Sequence, residues 1–456
     1  MGRILIEGCE TVVTMDDART EIPGGSILID GGTISGIGPG IPPRGAGTAR
    51  VDGRGTVALP GLINTHHHLY QTLTRVRAQD QRLFGWLRAL YPVWAGLDEE
   101  WERAAARAAL VELALSGCST TADHHYLFPA GSPRVLAAEV DAARDIGLRF
   151  HPSRGSMDRG ESQGGLPPDS VVQDTDTILA DTEEVVRRFH DPSPGSMLRL
   201  AVAPCSPFSV SDRLMRESAA LARRLGVRLH THIAETPDEE AYCTRTYGCR
   251  PLELLDDLDW LGPDVWLAHC VHLATADIQR MAQSGVAVAW CPTSNLRLGS
   301  GIAPVSALRE AAVPVGLAVD GSASNDAGHM LAEARLGMLV ARVHPHGWMS
   351  AREALWIATR GGASCLGRDD IGSLEVGKRA DIALIPVDGV AAAGAEADLV
   401  AAAVYCAPQR VRHLFVNGRS VVHRGRLVTA DEDEIAETAR RLGRRILARS
   451  AGRIPT

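Results

Sequence analysis

The sequence predicts an α/β fold: a (β/α)8 barrel of the TIM type, joined to a small β-sandwich domain built from both chain termini. Three observations carry this reading. Eight short apolar runs alternate with helical periodicity between about residues 59 and 369, metal-binding side-chain types recur at the C-terminal ends of four of those runs, and strand and turn patterns of one texture flank the alternation on both sides. Enzymes of barrel form gather their chemistry at the C-terminal ends of the strands. The 456 residues leave room for both parts, since such a barrel takes roughly 250 residues.

In chain order, Ile4-Leu5-Ile6, the segment 26–32 and Val51-Asp52-Gly53 read as strands and turns, and the Gly/Pro-rich stretch 36–47 reads as a surface loop. The barrel runs follow at 58–64, 119–123, 148–154, 198–205, 227–232, 265–269, 286–291 and 315–320. Each is too continuously apolar to be half exposed, which suits parallel strands covered on both faces. Between them, 99–116, 134–145, 212–225 and 275–283 carry helical spacing. After a helix near 350–366, the segments 381–385 and 411–422 resume the β pattern, with Asn417-Gly418 as a hairpin turn. The expected domains are therefore 1–58 with 370–456 for the sandwich, and 59–369 for the barrel.

Composition narrows the function. The formal charge is −8 and no basic stripe appears, and the arginine-rich stretch 439–453 reads as an exposed helix face, so nucleic acid is not an expected partner. No stretch of about eighteen apolar residues runs without a charge, and the opening apolar run is too brief for a secretion signal, so neither a membrane span nor export is expected. Nine scattered cysteines without a CxxC pair fit reduced thiols and a cytoplasmic protein. A homo-oligomer is expected. Lysine occurs once, at Lys378, in the other predicted domain. A carbamylated lysine bridging two metals is thereby excluded from the barrel, and a single ion remains.

The candidate site assembles from distant residues. His66 and His68 are separated by one residue, so at a strand end both point the same way while His67 points oppositely. His232 holds the same position on run five, with Glu235 three residues beyond; His230 shares its parity but lies deeper and reads as a supporting group. His269 ends run six. Asp320 ends run eight, before the small residues Gly321-Ser322-Ala323-Ser324-Asn325 that allow close approach. Three imidazoles and a carboxylate suit Zn2+, with Fe2+ as the alternative.

The segments LPGLINTHHHLYQTLTR, HTHIAET, LAHCVHL, CPTSNLRLGSGIAPV and DGSASND, with the late GSLEVGKRAD, resemble the amidohydrolase superfamily in its mononuclear aminohydrolase branch, over nearly the whole chain. Within it, the stretches around 66–75, 83–94, 123–129 and 203–208 look most like the 8-oxoguanine deaminases, with the triazine hydrolases as close relatives. The resemblance implies His66, His68, His232 and Asp320 as metal ligands, and Glu235 and His269 as catalytic groups. It also implies hydrolytic deamination of a nucleobase-like ring, with 8-oxoguanine first and isocytosine or guanine next. The alternative is loss of chloride or alkylamine from an s-triazine; an inert scaffold would be expected to lack ligands, and none is missing.

In that mechanism Asp320 accepts the proton of the attacking water and passes it to the leaving amine, Glu235 protonates the neighbouring ring nitrogen, and His269 orients or polarises the oxygen. For substrate contacts, Gln71 offers donor and acceptor to a lactam edge, Trp86 and Trp94 supply an aromatic lid, and Arg154 meets a carbonyl oxygen. His125 and Asn295 are further contact candidates.

Overall fold

A computed structural model of the chain describes all residues except 1, 44, 46, 130–133, 346, 407–408 and 451–456. Its central sheet is formed by β1 (Leu62–Asn64), β2 (Cys118–His125), β3 (Arg149–Ser156), β4 (Ala201–Pro204), β5 (Arg228–Ile233), β6 (Val265–His269), β7 (Ala287–Trp290) and β8 (Val315–Leu317). The strands lie in chain order and every neighbouring pair is parallel. The ring closes where the amide of Thr65 donates to the carbonyl of Leu317 at 3.0 Å. The fold is the barrel that the alternating pattern predicts.

The inside of the barrel is filled unevenly. Trp266 of β6 occupies the centre, and Ala122, Ala201, Ala287, Ala289 and Ala318 leave room for its indole. Its Nε1 donates to the carbonyl of Thr65 at 3.0 Å, so the one polar atom of this large buried side chain is satisfied. The ring of His230 stacks on it, with centroids 4.4 Å apart. A packed floor therefore supports whatever assembles above His230.

The terminal segments form two sheets. The four-stranded one contains N-terminal strands only, in the order Thr33–Pro39, Gly25–Asp30, Ile4–Glu7 and Ala49–Asp52. The seven-stranded one mixes both ends, with Ile382–Pro386 antiparallel to Thr56–Pro60 at its centre. Ile6, Ile27 and Ile29 face Ile382, Leu384 and Phe415 in the core between them. Asn417 and Gly418, at φ 49° and 74°, make the two-residue turn between His413–Val416 and Arg419–His423, the left-handed pair that a type I′ hairpin requires.

Several expectations need correction. The apolar run 58–64 is two strands in two sheets: Thr56–Pro60 belongs to the sandwich and Leu62–Asn64 to the barrel. Both halves are buried, so hydrophobicity carries no mark of the change. Gly61 makes the switch, donating its amide to the carbonyl of Asp381 at 2.8 Å, and a Cβ there would collide with the side chain of Ser119. The stretch 36–47 is a loop only after Pro39, because 36–39 complete the strand Thr33–Pro39, and residues 44 and 46 lie outside the described residues. The helix near 350–366 is interrupted by a π-helical turn at Ile357–Gly361. Of the arginine-rich stretch 439–453, residues up to 450 lie in the helix Glu432–Ser450, which packs Ile435, Leu442 and Ile446 inward, and 451–453 lie outside the described residues.

Barrel and sandwich are tied by a buried fork: Arg149 donates from Nε to Oδ2 and from Nη2 to Oδ1 of Asp381, each at 3.1 Å. Lys378 sits outside the barrel, held by Ser373 and Glu375. No described helix is long and apolar enough to cross a membrane.

Candidate active site

His66 and His68 follow β1, His232 lies on β5, and Asp320 lies three residues beyond β8. At this mouth of the barrel Nε2 of His68 is 3.1 Å from Nε2 of His232 and 3.4 Å from Oδ1 of Asp320, which is 3.3 Å from Nε2 of His66. Tetrahedral ligands about 2.0–2.1 Å from a shared ion lie about 3.4 Å from one another. At this spacing the four side chains could grip one ion as a cage.

The imidazole tautomers point the same way. Nδ1 of His68 lies 2.7 Å from the carbonyl of His124, and Nδ1 of His232 lies 2.7 Å from the carbonyl of Cys205. A carbonyl only accepts, so each Nδ1 carries the hydrogen and each Nε2 presents a lone pair. His66 reaches the same state through a relay: Nδ1 of His230 lies 2.7 Å from the carbonyl of Trp266, which leaves its Nε2 to accept from Nδ1 of His66 at 2.7 Å. The Nε2 of His66 is buried without a hydrogen-bond partner. Burial holds His66 below the ordinary imidazole pKa, and His68 and His232 well below it, so all three stay in the neutral form that binds metal. For Asp320, burial alone would raise the pKa, but the imidazoles packed around it, His66 first, then His269 and His68, hold it well below the carboxylate range.

Across the mouth stand Glu235 and His269, with Oε2 and Nε2 3.6 Å apart. The chain reaches these positions by bending sharply: Ala234, His269, Cys270 and Asp320 all take left-handed φ between 51° and 73° without being glycine, a strain of about 1–3 kcal/mol each that clusters at functional sites. Nδ1 of His269 meets Oδ1 of Asn295 at 2.9 Å, and the hydroxyl of Ser300 donates to Oε1 of Glu235 at 3.4 Å. Burial raises the pKa of Glu235 despite the opposing charge of His269. Burial disfavours the His269 cation, but Glu235 and Asp320 outweigh it and raise its pKa. The pair thus keeps a proton to higher pH than either group would in water.

The amidohydrolase family model matches residues 57–421, most of the chain. The chain belongs to the amidohydrolase family. It is 46% identical to the 8-oxoguanine deaminase of Pseudomonas aeruginosa, over 87% of this chain and 88% of that one. It is 38% identical to the hydroxydechloroatrazine ethylaminohydrolase of Pseudomonas sp. strain ADP, over 98% and 96%. Among solved structures, the atrazine chlorohydrolase TrzN from Arthrobacter aurescens TC1, complexed with zinc, superposes with a TM-score of 0.92 at 37% identity, covering 96% of this chain and all of that one.

In this amidohydrolase the cavity beside the cage is walled by Gln71, Trp86, Tyr91, Tyr126, Phe208 and Leu298. Gln71 sits against Gly321, where a Cβ would collide with its side chain, so the glycine lets it reach the cavity. Trp86 faces the cavity and donates from Nε1 to the carbonyl of Ala323 at 3.2 Å. Trp94 does not line the cavity; its Nε1 donates to Thr74 at 3.1 Å and its ring packs edge-on against Tyr70 and Trp86.

Three other expected contacts lie elsewhere. Arg154, fully buried, bonds to Asp181 at 2.7 Å and Gln173 at 2.8 Å and covers the ring of Phe128. It faces the helix layer outside the barrel, because its parity on β3 turns it away from the axis. His125 is turned outward for the same reason on β2, with Nε2 bonded to the carbonyl of Leu127 at 2.9 Å. Asn295 holds His269 and does not line the cavity. The inward neighbour of His125 is His124, whose ring stacks on His232 with centroids 4.6 Å apart. Sequence reasoning missed it, along with Tyr126 and Glu239. Alternation along this strand sets His124 and His125 on opposite faces without naming the inner one, while the helix-start pattern Thr236-Pro237-Asp238-Glu239 carried a signal for Glu239.

Proposed function

We propose that this amidohydrolase removes an amino group from a lactam- or amidine-bearing ring, with 8-oxoguanine as the first candidate, using one zinc ion held by His66, His68, His232 and Asp320. Iron(II) is the alternative ion that imidazole-rich ligands accept. The observation that carries the reading is the pairing of Glu235 with His269, 3.6 Å apart, at the mouth of a cage that includes Asp320. An amine leaves only with a proton, and this arrangement supplies proton carriers beside the cage.

When bound, the ion supplies Lewis acidity, which lowers the pKa of water from 15.7 toward about 7. Asp320 takes the proton that the attacking water gives up and returns it to the departing nitrogen. Its Oδ1 accepts from the amide of Gly321 and its Oδ2 accepts from Ser324 at 3.1 Å, so the carboxylate keeps one orientation through both transfers. Glu235, its carboxyl raised by burial, donates to the ring nitrogen next to the attacked carbon, so no localised negative charge builds on the ring, and it recovers a proton from the new hydroxyl as the carbonyl forms and the C–N bond to the amine breaks. His269, fixed by Asn295, polarises the oxygen attached at that carbon. Gln71 pairs with the lactam edge, and Trp86 covers one face of the planar ring.

The similarity to the ethylaminohydrolase and to TrzN favours a second reading, hydrolysis of a substituted s-triazine. One experiment separates them. Zinc-loaded protein is offered 8-oxoguanine, isocytosine, guanine, cytosine, S-adenosylhomocysteine and chloro-, amino- or alkylamino-triazines, and ammonia, alkylamine and chloride are measured. Ammonia from the purine-like lactams alone is the expected result. Chloride or alkylamine from the triazines would replace the proposal with the second reading.

A further inference from the structure

A second group of metal-type side chains lies outside the barrel wall, where β2 meets two helices. His125 ends β2, Glu102 comes from the helix Glu99–Leu115 and Glu139 from the helix Val135–Ile146. All three are fully buried. Nδ1 of His125 stands 3.6 Å from Oε2 of Glu102 and 3.8 Å from Oε2 of Glu139. These gaps are too long for hydrogen bonds. They are close to the roughly 3.3–3.6 Å between oxygen and nitrogen ligands that share one ion at about 2.0–2.2 Å.

Several polar atoms that face one another here lack a hydrogen-bond donor. Neither oxygen of Glu102 has a hydrogen-bond partner among the described residues, nor does Nδ1 of His125, and Glu139 faces only another buried carboxyl, that of Asp123, with which it could share a proton. The tautomer sharpens this. Nε2 of His125 lies 2.9 Å from the carbonyl of Leu127 and so carries the ring hydrogen. Nδ1 therefore turns a lone pair toward two carboxyl groups, and lone pairs facing one another in a dry interior repel. An imidazole that donates one nitrogen to a backbone carbonyl and aims the other at carboxylates is oriented as metal-ligating histidines are. His68 and His232 are arranged in the same way in the cage. Asp123, also buried, keeps Oδ1 on the amide of Leu69 at 2.7 Å and meets the carboxyl of Glu139, close enough for the two to share a proton.

We infer that Glu102, His125 and Glu139, with Asp123 beside them, form a second, structural site for a divalent cation, separate from the cage of His66, His68, His232 and Asp320. One nitrogen and several carboxylate oxygens suit zinc, manganese(II) or iron(II). The ion neutralises carboxylates that otherwise have to share protons, and it fastens two helices to the strand whose His124 carbonyl orients His68. The inference does not depend on the substrate.

The test uses full-length protein produced with zinc chloride or manganese chloride, because a closed site fills as the chain folds. Metal per chain is counted by mass spectrometry, and anomalous diffraction at each metal's edge locates the ions. Two equivalents are expected, with one density among Glu102, His125 and Glu139. The double variant Glu102→Gln/Glu139→Gln is expected to fall to one equivalent and keep the cage ion. A single equivalent in the unaltered protein, or a second density anywhere else, overturns the inference. These wild-type readings decide it even where the variant does not fold.

Discussion

The amide of Glu235 donates to Oε2 of Glu239 at 2.9 Å, and the amide of Ala234 donates to Oε1 at 2.8 Å. One buried carboxyl, four residues downstream, therefore fixes the bend that aims Glu235 at the cage. Glu239→Ala leaves two buried amides without an acceptor, at about 1–3 kcal/mol each. Turnover is expected to fall at least about tenfold while metal content stays at the wild-type level, since misplacement by an ångström costs on the order of 10² in rate. Unchanged kcat in this variant would show that the bend holds itself.

Glu235→Gln is expected to retain the ion and lose turnover by about 10²–10⁴, the usual worth of positioned acid–base help. Steady-state kinetics with metal analysis on the same sample make the comparison. Full activity would remove Glu235 from the chemistry.

Removing His230 takes away the acceptor that fixes the His66 tautomer. In His230→Ala the metal is expected to bind about 10–100 times more weakly. Competition with a chromophoric chelator measures it, and an unaltered affinity would mean that the relay from Trp266 has no part in ligand orientation.

Glu333 accepts from the amide of Thr293 at 2.8 Å and bonds to Asn325 at 3.0 Å, and burial pushes its pKa up to about 7. An unfolded glutamate titrates near 4.3. Between those values the folded state binds more protons, so this group's contribution is present at low pH and is lost as pH rises toward 7. Glu333→Gln does not titrate. Its stability relative to wild type is therefore expected to improve, by up to about 3 kcal/mol, between pH 5 and pH 8. Denaturant unfolding at both pH values checks the sign, and a constant difference would mean that Glu333 ionises normally.

The barrel was legible because parallel strands buried on both faces read as unbroken apolar runs, and 227–232 and 265–269 lie within a residue of β5 and β6. The convergence of His66, His68 and His232 with Asp320 was legible because HxH at a strand end puts both imidazoles on one face. His125 and Arg154 were misjudged for the opposite reason: on a strand whose register is unknown, alternation tells two faces apart but does not name the inner one. His124, one residue from His125, occupies the inner face. Glu333 accepts from Thr293, forty residues away and brought in by folding, and a buried carboxyl of this kind has no spacing rule; Glu239 had only its place at a helix start to mark it. The sheet change at Gly61 was hidden because both of its flanks are fully covered.

That change at Gly61 bears on how the protein can be dissected. The strand Thr56–Pro60 is the central rib of the sandwich, yet the first cage histidine follows only six residues after Pro60. Any attempt to excise the barrel must cut within that hinge, severing the Gly61–Asp381 bond and stranding Arg149 without its counter-charge. The terminal sheets therefore behave as an inseparable part of the catalytic body, and truncation from either end is expected to yield insoluble or inert protein.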